Sequence, residues 1–472
     1  MRNGEAPTFR QWLTMRVPPR VETWWAEAKS TLWFLPTVAG IAAIVLAVAL
    51  VYLDDTIDDD LKLRSIRSPW LFGAGTDGAR GVLTAIAGSV MTVLGTAFSI
   101  TIVGLQLASS QFTPRVLRQF TGDRVNQAVL AVYIGTFTYC LLVLRTVQDG
   151  TDDRPSFVPV ISVTVAILLA LVCIFMLILF IHHMAQQFQV SYILHRATSD
   201  ALGLVHSYFR KEIHTPALTE RDYAQGEGHD VLSHATGYLQ HYDYDHLLGT
   251  AKANDLTIRM LVPMGAYLNT RQPMARIWTA SGDEVDLDEA GKSVRGAFVI
   301  GAERTLPADL PLGIRQIADI GIKALSPAIN DPTTATLALD RLGEVLSEAG
   351  RLEPPQQILY VDSRPAVFLP RIGFADLTNI AFTQMRHYGR ADLVVMLHMV
   401  RTIERVASLV QDRYHTGLSR HLDLVKASGE QGLALGPERE VLVEEADAAI
   451  ARIRDLGRGD RVPVVPDIIT SV

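Results

Sequence analysis

The hydrophobic residues of this chain gather in four long segments within the first 182 positions, and the rest of the 472-residue chain mixes apolar and polar positions. The segments cover residues 31–53, 82–108, 128–147 and 157–181. Each is at least as long as the ~20 residues that a helix needs to cross about 30 Å of hydrocarbon. The pattern predicts an α-helical membrane protein with four transmembrane helices and a C-terminal region of mixed α+β structure.

The positions after the fourth segment change character twice. Helical spacing continues towards Phe209 without Pro or Gly before Gly203, which predicts a stalk helix. Short alternating runs separated by turn residues then predict a small antiparallel β-domain, and helical periodicity returns from residue 306. The predicted organisation is a lead at 1–30, a transmembrane domain at 31–182, a stalk and linker at 183–230, a β-domain at 231–305, a mainly helical domain at 306–457 and a tail at 458–472.

Charged residues in the short connections predict the orientation of the helices. Arg and Lys favour the cytoplasmic side, and they are frequent in the lead and in the second connection, with Arg115, Arg118 and Arg124. The first and third connections open with acidic residues, so we expect these two loops outside and both termini in the cytoplasm. The acidic residues of the predicted outer loops are Asp54, Asp55, Asp58, Asp59 and Asp60 in the first, and Asp149, Asp152 and Asp153 in the third.

The second apolar segment differs from the others because hydroxyl residues and glycines recur along it. At about 100° per residue its polar side chains fall within an arc of roughly 100°. They are Ser89, Thr92, Thr96, Ser99, Gln106 and Ser110, and Gly81, Gly88 and Gly95 share their side. Small and hydroxylated residues on one face are typical of helix packing in lipid, the preferred interpretation for a single helix. The same face also suits a water-filled path in which hydroxyls replace part of an ion's hydration, and in a ring of subunits both hold.

The composition and the absence of common motifs argue against several classes of function. The net charge of −7 gives nucleic-acid binding no electrostatic support. The two cysteines, Cys140 and Cys173, lie in predicted spanning helices, so neither a disulfide framework nor a Cys-rich zinc site is expected. The sequence has no Gly-x-x-x-x-Gly-Lys-Ser/Thr loop, no Gly-x-Ser-x-Gly elbow and no His-Glu-x-x-His motif. We therefore predict neither catalysis nor a cofactor.

Histidines lie close to carboxylates at residues 241–246, which suggests a metal-binding site, but their spacing along a strand does not favour one. His241, Asp243 and Asp245 would share one face of a strand, and His and carboxylate groups bind zinc. His246 would point away from that face unless a turn intervenes, and such clusters are common on exposed strands, so we predict no metal site. The histidine pair at 182–183 is interpreted as lying at the membrane edge rather than as a pair of ligands.

Asn330, Asp331 and Pro332 signal the start of a helix, four residues after Ser326. Asn or Asp can cap a helix, and Pro suits its first turn. A helix start also offers free amides that could bind an anion or another ligand. Capping alone explains these residues and is the preferred interpretation. The other helices predicted in this domain cover residues 311–325, 375–388, 391–410 and 438–456, with a short β-stretch at 357–369.

Four further stretches stand out as possible family signatures. They are Ser110-Gln-Phe-Thr-Pro-Arg115, Gly237-Tyr-Leu-Gln, Gly313-Ile-Arg-Gln-Ile-Ala-Asp-Ile and Ala324-Leu-Ser-Pro-Ala-Ile-Asn-Asp-Pro-Thr-Thr-Ala335. They resemble an uncharacterised bacterial membrane family, domain of unknown function 2254, over most of the chain. The resemblance implies the membrane architecture and implies no activity.

The sequence thus leads to one main hypothesis and one rival. The main hypothesis is a homo-oligomeric channel or transport protein of the bacterial inner (plasma) membrane, with an ion path near the second helix and a cytoplasmic regulatory domain. Acidic outer loops would concentrate cations by their surface potential. The rival is a non-conducting sensor or scaffold whose helices anchor and dimerise the soluble domain, and a membrane enzyme comes third. The expected partners are the lipid bilayer, further copies of the chain and a small ion.

Overall fold

The computed structural model describes residues 31, 33–61, 75–111, 123–149, 156–187, 189–208, 228–279, 286–305, 309–353, 358–362, 364–370 and 372–456, with the backbone alone at 58–61 and 107–111. The chain forms two compact units that divide between Gln189 and Val190. The predicted outer acids Asp152 and Asp153 lie outside the described residues.

Among the described residues, the first unit contains four long helices, each long and apolar enough to cross a membrane. They are α1 (Phe34–Leu61), α2 (Thr76–Gln111), α3 (Arg124–Thr146) and α4 (Val160–Gln187). Helix α3 lies at the centre, because 56% of its spanning window is buried against 17–22% for the other three. At Gly135 of α3 an added Cβ would lie 3.5 Å from the carbonyl oxygen of Ala39, an ordinary contact distance, so α1 and α3 pack side by side at this position.

Two predictions about the ends of these helices were wrong. The acidic stretch from Asp54 to Asp60 was expected to be an outer loop, but α1 continues through it to Leu61. The fourth helix was expected to continue as a stalk, but α4 ends at Gln187 and a new helix, α5 (Val190–Tyr208), begins three residues later. Helix α5 buries one face against helices of the second unit, so it belongs to that unit's core.

In the described part of the second unit, eight strands form two sheets. They are β1 (His229–Leu232), β2 (Gly237–Tyr242), β3 (Leu256–Met260), β4 (Tyr267–Leu268), β5 (Pro273–Thr279), β6 (Phe298–Gly301), β7 (Ile358–Val361) and β8 (Arg364–Phe368). The strand orders are β1-β5-β3-β8-β7 and β4-β2-β6, and every pairing is antiparallel except that of β3 with β8. The predicted β-domain therefore does not close at residue 305, because two strands from beyond it complete the larger sheet.

The helices of the second unit divide between the sheets and a bundle. Helices α6 (Tyr244–Ala253) and α7 (Leu287–Gly296) share a hydrophobic core with the strands. The bundle contains α5, α8 (Leu310–Ala324), α9 (Pro332–Arg351), α10 (Phe374–Gly389), α11 (Leu393–Leu409), α12 (His415–Gly432) and α13 (Gly436–Leu456). Carboxylates cap several of these helices by accepting first-turn amides, which satisfies donors that have no partner within the helix.

The two ends of the bundle differ. At one end, Asp309 at the start of α8 pairs with Arg304 beyond β6 at 2.7 Å, so the sheets lie on this side. The other end gathers the turns α8–α9, α10–α11 and α12–α13. There an added Cβ on Gly389 would lie 3.5 Å from Leu325, and one on Gly432 would clash with the backbone of Arg390. We call this second end the turn end.

Helix α5 runs antiparallel to α8. An added Cβ on Gly313, in the first turn of α8, would lie 3.2–3.4 Å from Ala201 and Leu204, which lie in the last two turns of α5. His206, near the end of α5, lies 3.7 Å from Glu348 near the end of α9. The start of α5 at Val190 therefore lies towards the turn end of the bundle.

Candidate functional site

The polar stripe predicted on α2 lies on the face that the other three helices leave uncovered. Ser89, Thr92, Thr96, Ser99 and Gln106 are all exposed. The opposite face of α2 is buried through Leu83, Ala87, Val90, Ala97 and Thr101, which pack towards α3 and α4. Added Cβ atoms on Gly81, Gly88 and Gly95 would meet nothing within 4 Å. The side chain of Ser110 lies outside the described residues.

Several hydroxyls of the stripe already have a hydrogen-bond acceptor within their own helix. Ser89 donates to the carbonyl oxygen of Ile86 at 3.0 Å, Thr92 to Gly88 at 2.9 Å and Thr96 to Thr92 at 3.1 Å. These bonds satisfy the O–H donors and leave oxygen lone pairs on the surface of the helix. At these three positions the stripe can face a neighbouring helix without unpaired hydroxyl donors, and it can offer acceptors to a cation.

Asp54 was expected to be an exposed acid of an outer loop, and this prediction was wrong. Asp54 is only 2% exposed, and its carboxylate accepts hydrogen bonds from the backbone amides of Ile161 and Ser162 at 2.8 and 2.9 Å. The Ser162 hydroxyl donates a third bond at 2.6 Å. A carboxylate near a helix N-terminus is favoured by capping and by the helix dipole. Asp54 therefore holds α1 to the start of α4 and is not available to attract cations.

The other described residues of the predicted acidic outer loops have different environments. Asp55 is exposed on α1. Asp149 pairs with Arg80 of α2 at 2.5 Å, and the hydrogen bond from Arg80 keeps the pKa of Asp149 below its ordinary value. Arg80 also donates to the carbonyl oxygen of Val147 at 3.2 Å. Arg80 thus fastens the start of α2 to the segment that follows α3. The side chains of Asp58, Asp59 and Asp60 lie outside the described residues.

A second buried carboxylate, Asp123, holds the opposite end of the membrane unit, where α3 begins and α4 ends. It caps α3 by accepting from the amides of Val125 and Asn126 at 2.9 and 3.2 Å. His183 of α4 lies 3.0 Å away, and Gln187 approaches the same imidazole nitrogen at 2.6 Å. The histidine pair predicted at the membrane edge thus includes one residue, His183, that joins two helices, and no local pattern identifies Asp123 as its partner.

A cavity of about 670 Å³ opens between α1, α2 and α3. Its lining is almost entirely apolar and includes Gly40, Ile44, Leu94, Phe98 and Ile134. An ion would lose hydration there without gaining ligands. This cavity is therefore suited to hydrocarbon and not to an ion path.

The α8–α9 turn contains the predicted helix start. Asp331 caps α9, since its carboxylate accepts from the Thr334 amide at 3.0 Å and from the Thr334 hydroxyl at 2.5 Å. These bonds keep the pKa of Asp331 below its ordinary value. Pro332 occupies the first position of the helix, and Asn330 adopts a left-handed conformation with φ 49°. Because Asp331 already occupies the helix start, an added anion would meet its negative charge.

Ser326 opens this turn, and its hydroxyl is buried without a hydrogen-bond partner among the described residues. Its carbonyl oxygen accepts the backbone N–H groups of Ile329 and Asn330 at 3.0 and 2.9 Å. The backbone of Ser326 therefore organises the turn, while its side chain fills the interior.

The histidine-carboxylate run after residue 240 is divided between two elements. β2 ends at Tyr242, and Asp243 caps α6 by accepting from the His246 amide at 2.9 Å. The imidazole of His246 lies 2.9 Å from the carbonyl oxygen of Ser293 on α7. The chain does turn within this run, because the capping residue Asp243 follows the end of the strand, and His241 and Asp245 lie on different elements.

Residues 29–405 match the family described as "Predicted membrane protein (DUF2254)". The chain belongs to this family. It is 32% identical to an uncharacterised protein of Mycobacterium bovis over 387 residues, which cover 79% of this chain and 73% of that protein. An uncharacterised protein of Mycobacterium tuberculosis matches with the same identity and coverage. No solved structure matches the chain.

The DUF2254 match includes all four apolar helices and the second unit as far as the later part of α11. All four stretches that suggested the family lie within it. The match confirms the predicted family and establishes a membrane protein. The family description gives no activity, so function must be argued from the side chains.

Proposed function

We propose that this DUF2254 protein is a homo-oligomeric ion channel or transport protein of the bacterial inner membrane, with its path beside α2 and a cytoplasmic second unit that regulates it. The observation that supports this proposal is the uncovered polar stripe of α2. In a single copy the stripe would face acyl chains, which offer no hydrogen bonds. Assembly of several copies around α2 would place the stripe against water or against a neighbouring subunit.

The chemistry of the stripe favours a cation over an anion. The hydroxyls of Ser89, Thr92 and Thr96 donate to carbonyl oxygens of their own helix. Their oxygen lone pairs remain available as ligands for cations. The glycines on the same side allow neighbouring helices to approach closely. The acidic surface gives weaker support than the sequence suggested, because Asp54 caps a helix and Asp149 is paired with Arg80.

The rival proposal is a non-conducting sensor or scaffold. Its support is the same self-satisfied hydroxyl pattern, because a stripe with no unpaired donor at these positions can pack directly against its copy in a dimer. We expect no catalysis in either case. The two proposals differ in whether water has access to α2.

Ion flux and oligomeric state, measured together on purified protein in liposomes, test the two proposals. Thr96→Leu narrows and dries a pore, so it is expected to reduce flux while the oligomer remains intact. Thr164→Leu is the matched control, because Thr164 also bonds its own helix, at 2.8 Å, but lies on α4. If Thr96→Leu instead breaks the oligomer into smaller species, α2 is a packing surface. Wild-type protein that forms dimers and passes no ions under several gradients supports the scaffold.

A further inference from the structure

The apolar cavity between α1, α2 and α3 extends through about half of the depth of a membrane. Along α1 it is lined from Trp33 to Ile44, a length of about 16 Å at 1.5 Å per residue. The hydrocarbon core of a bilayer is about 30 Å thick, so one leaflet contributes about 15 Å. Because the spanning segment of α1 begins at Phe34, the cavity runs inwards from the membrane surface at that end of α1.

The lining residues of α2 agree with this depth. They lie between Met91 and Phe98, and Met91 is midway between Thr76 and Gln106, the ends of the spanning segment of α2. The cavity thus reaches the middle of the bilayer on α2 and ends there. A groove that received a spanning helix of a second copy would have to continue across both leaflets, about 30 Å. The cavity is one leaflet long and does not meet that requirement.

The lining of the cavity offers little to a polar occupant. It contains two threonines, and Thr37 already donates its hydroxyl to the carbonyl oxygen of Trp33 at 2.8 Å. Each buried water ordinarily makes about three hydrogen bonds, and water filling about 670 Å³ would need far more partners than this lining has. A space left empty would forfeit dispersion contacts along its whole wall. Hydrocarbon is therefore the occupant that the lining suits.

The outer face of α4 is also apolar, and it gives an internal contrast. Leu171, Phe175 and Ile178 are exposed there on the surface of a single helix. Lipid chains are as apolar as these side chains, so packing contacts decide how firmly a chain is held. A chain on the outer face of α4 touches one helix, whereas a chain in the cavity contacts three. The cavity is thus suited to hold a chain more firmly than this lipid-facing surface.

We propose that the cavity binds one acyl chain of a membrane phospholipid, inserted from the leaflet in which α1 begins. Trp33 lies at the mouth of the cavity, where the membrane interface favours tryptophan. Two glycines leave room for the chain, because an added Cβ on Gly95 would meet nothing within 4 Å and one on Gly40 would meet only Ile134, at 3.9 Å. The site concerns lipid binding and does not depend on whether the protein conducts ions.

The test uses the full-length protein in nanodiscs that contain phosphatidylglycerol with a diazirine in the middle of one acyl chain. Irradiation releases nitrogen and inserts the resulting carbene into a neighbouring bond, and mass spectrometry of peptides locates the adducts. One sample is irradiated in the nanodisc, and a second after transfer to mild detergent and repeated washing. Phe98 in the cavity and Phe175 on α4 form a matched pair, since they are 51% and 55% exposed.

A bound chain predicts adducts around both phenylalanines in the nanodisc, and adducts around Phe98 alone after washing. Gly95→Leu extends a side chain into the cavity and is expected to lose the retained adducts. Gly88→Leu is the matched control, because Gly88 is equally open but does not line the cavity. As a second variant, Ile44→Trp fills the cavity from α1, with the exposed Val45→Trp beside it as control.

Three results would overturn the proposal. Equal loss of adducts around Phe98 and Phe175 on washing would make the cavity an ordinary lipid-facing surface. Equal retention of adducts in Gly95→Leu and Gly88→Leu would place the retained lipid elsewhere. Absence of adducts around Phe98 in the nanodisc, with Phe175 labelled, would assign the cavity to a second copy or to another segment of the chain.

Discussion

Replacing Asp54 by alanine is expected to destabilise the membrane unit far more than replacing its neighbour Asp55. Asp54 is buried and accepts three hydrogen bonds from the first turn of α4, whereas Asp55 is exposed on the same helix. The two residues carry the same charge and lie in the same acidic stretch. A difference between them therefore reports the contacts of Asp54 and not the charge of the stretch.

The magnitude follows from the number and type of bonds lost. Hydrogen bonds to a charged group contribute about 1.5–3 kcal/mol each, but burial of the carboxylate offsets part of that gain. Loss of a capping side chain alone costs about 0.5–2 kcal/mol. Because Asp54 also joins α1 to α4, we expect a loss of about 3 kcal/mol for Asp54→Ala. Asp54→Asn keeps one acceptor oxygen and should fall between alanine and wild type.

Unfolding in mixed micelles of mild detergent and sodium dodecyl sulfate, followed by circular dichroism, measures these free energies. Asp55→Ala is expected to change the unfolding free energy by less than about 0.5 kcal/mol. Ser162→Ala removes one of the three bonds to Asp54, so it should lower the unfolding free energy by only part of the loss caused by Asp54→Ala. The double substitution should lower it by less than the sum of the two single losses, because the two side chains share a bond. Equal stability of Asp54→Ala and Asp55→Ala would refute the capping account.

Three other measurements address topology, the α9 cap and buried charge. Cysteines at Asp58 and, separately, at Gly226 are expected to react with an impermeant thiol reagent from opposite sides of the membrane; labelling of both in intact cells contradicts the topology. In thermal unfolding, Asp331→Ala should lower the unfolding free energy by about 0.5–2 kcal/mol, because the α9 cap is lost. Asn330→Gly is the control and should change it by less than about 0.5 kcal/mol. Equal losses of stability in the two variants would contradict the capping role of Asp331. Burial, with a smaller effect of nearby arginines, lowers the pKa of His421 from 6.5 to about 4, so the folded state binds fewer protons than the unfolded state between these values. Stability should therefore fall by up to about 3 kcal/mol as pH drops from 6.5 to 4, and His421→Phe should flatten that profile.

The elements with a strong local pattern were predictable from the sequence. The four apolar segments lie within or largely overlap α1 to α4, because an uninterrupted hydrophobic run has few alternatives to a spanning helix. Strands β2, β3 and β5 coincide with the alternating runs. Helices α8, α10, α11 and α13 coincide with predicted helices to within a few residues.

Other elements were not predicted, although some of them have a local pattern in the sequence. Helix α12 has Leu418, Leu422 and Val425 at helical spacing and is nevertheless absent from the predicted helices. Helix α6 begins at a capping residue, Asp243, that was interpreted as part of a strand. The parallel pairing of β3 with β8 joins strands about a hundred residues apart, and no local pattern encodes such a partner.

Asp54 and Asp123 illustrate a limit of charge patterns. An acidic residue beside an apolar segment is ordinarily assigned to a solvated loop, and nothing local distinguishes the one that caps a distant helix. Asp54 meets α4 across more than a hundred positions, and Asp123 meets His183 across 60. Long-range contacts of this kind become visible only when the helices are packed.

The polar contacts of the membrane unit also bear on which helix lines the proposed path. Asp54 fastens α1 to α4, while the hydroxyls of Tyr133 and Tyr139 on α3 donate to backbone carbonyls of α4 at 2.8 and 2.9 Å. Among the described residues, α2 is fastened by side-chain polar contacts only near its start, around Arg80, and elsewhere by small apolar residues against α3 and α4. Helix α1 is held in a similar way, since among the described residues Asp54 alone fastens it to α4. The helix that carries the exposed polar stripe is thus one of two that are fastened by polar side chains near one end only, which is compatible with the proposed path beside α2.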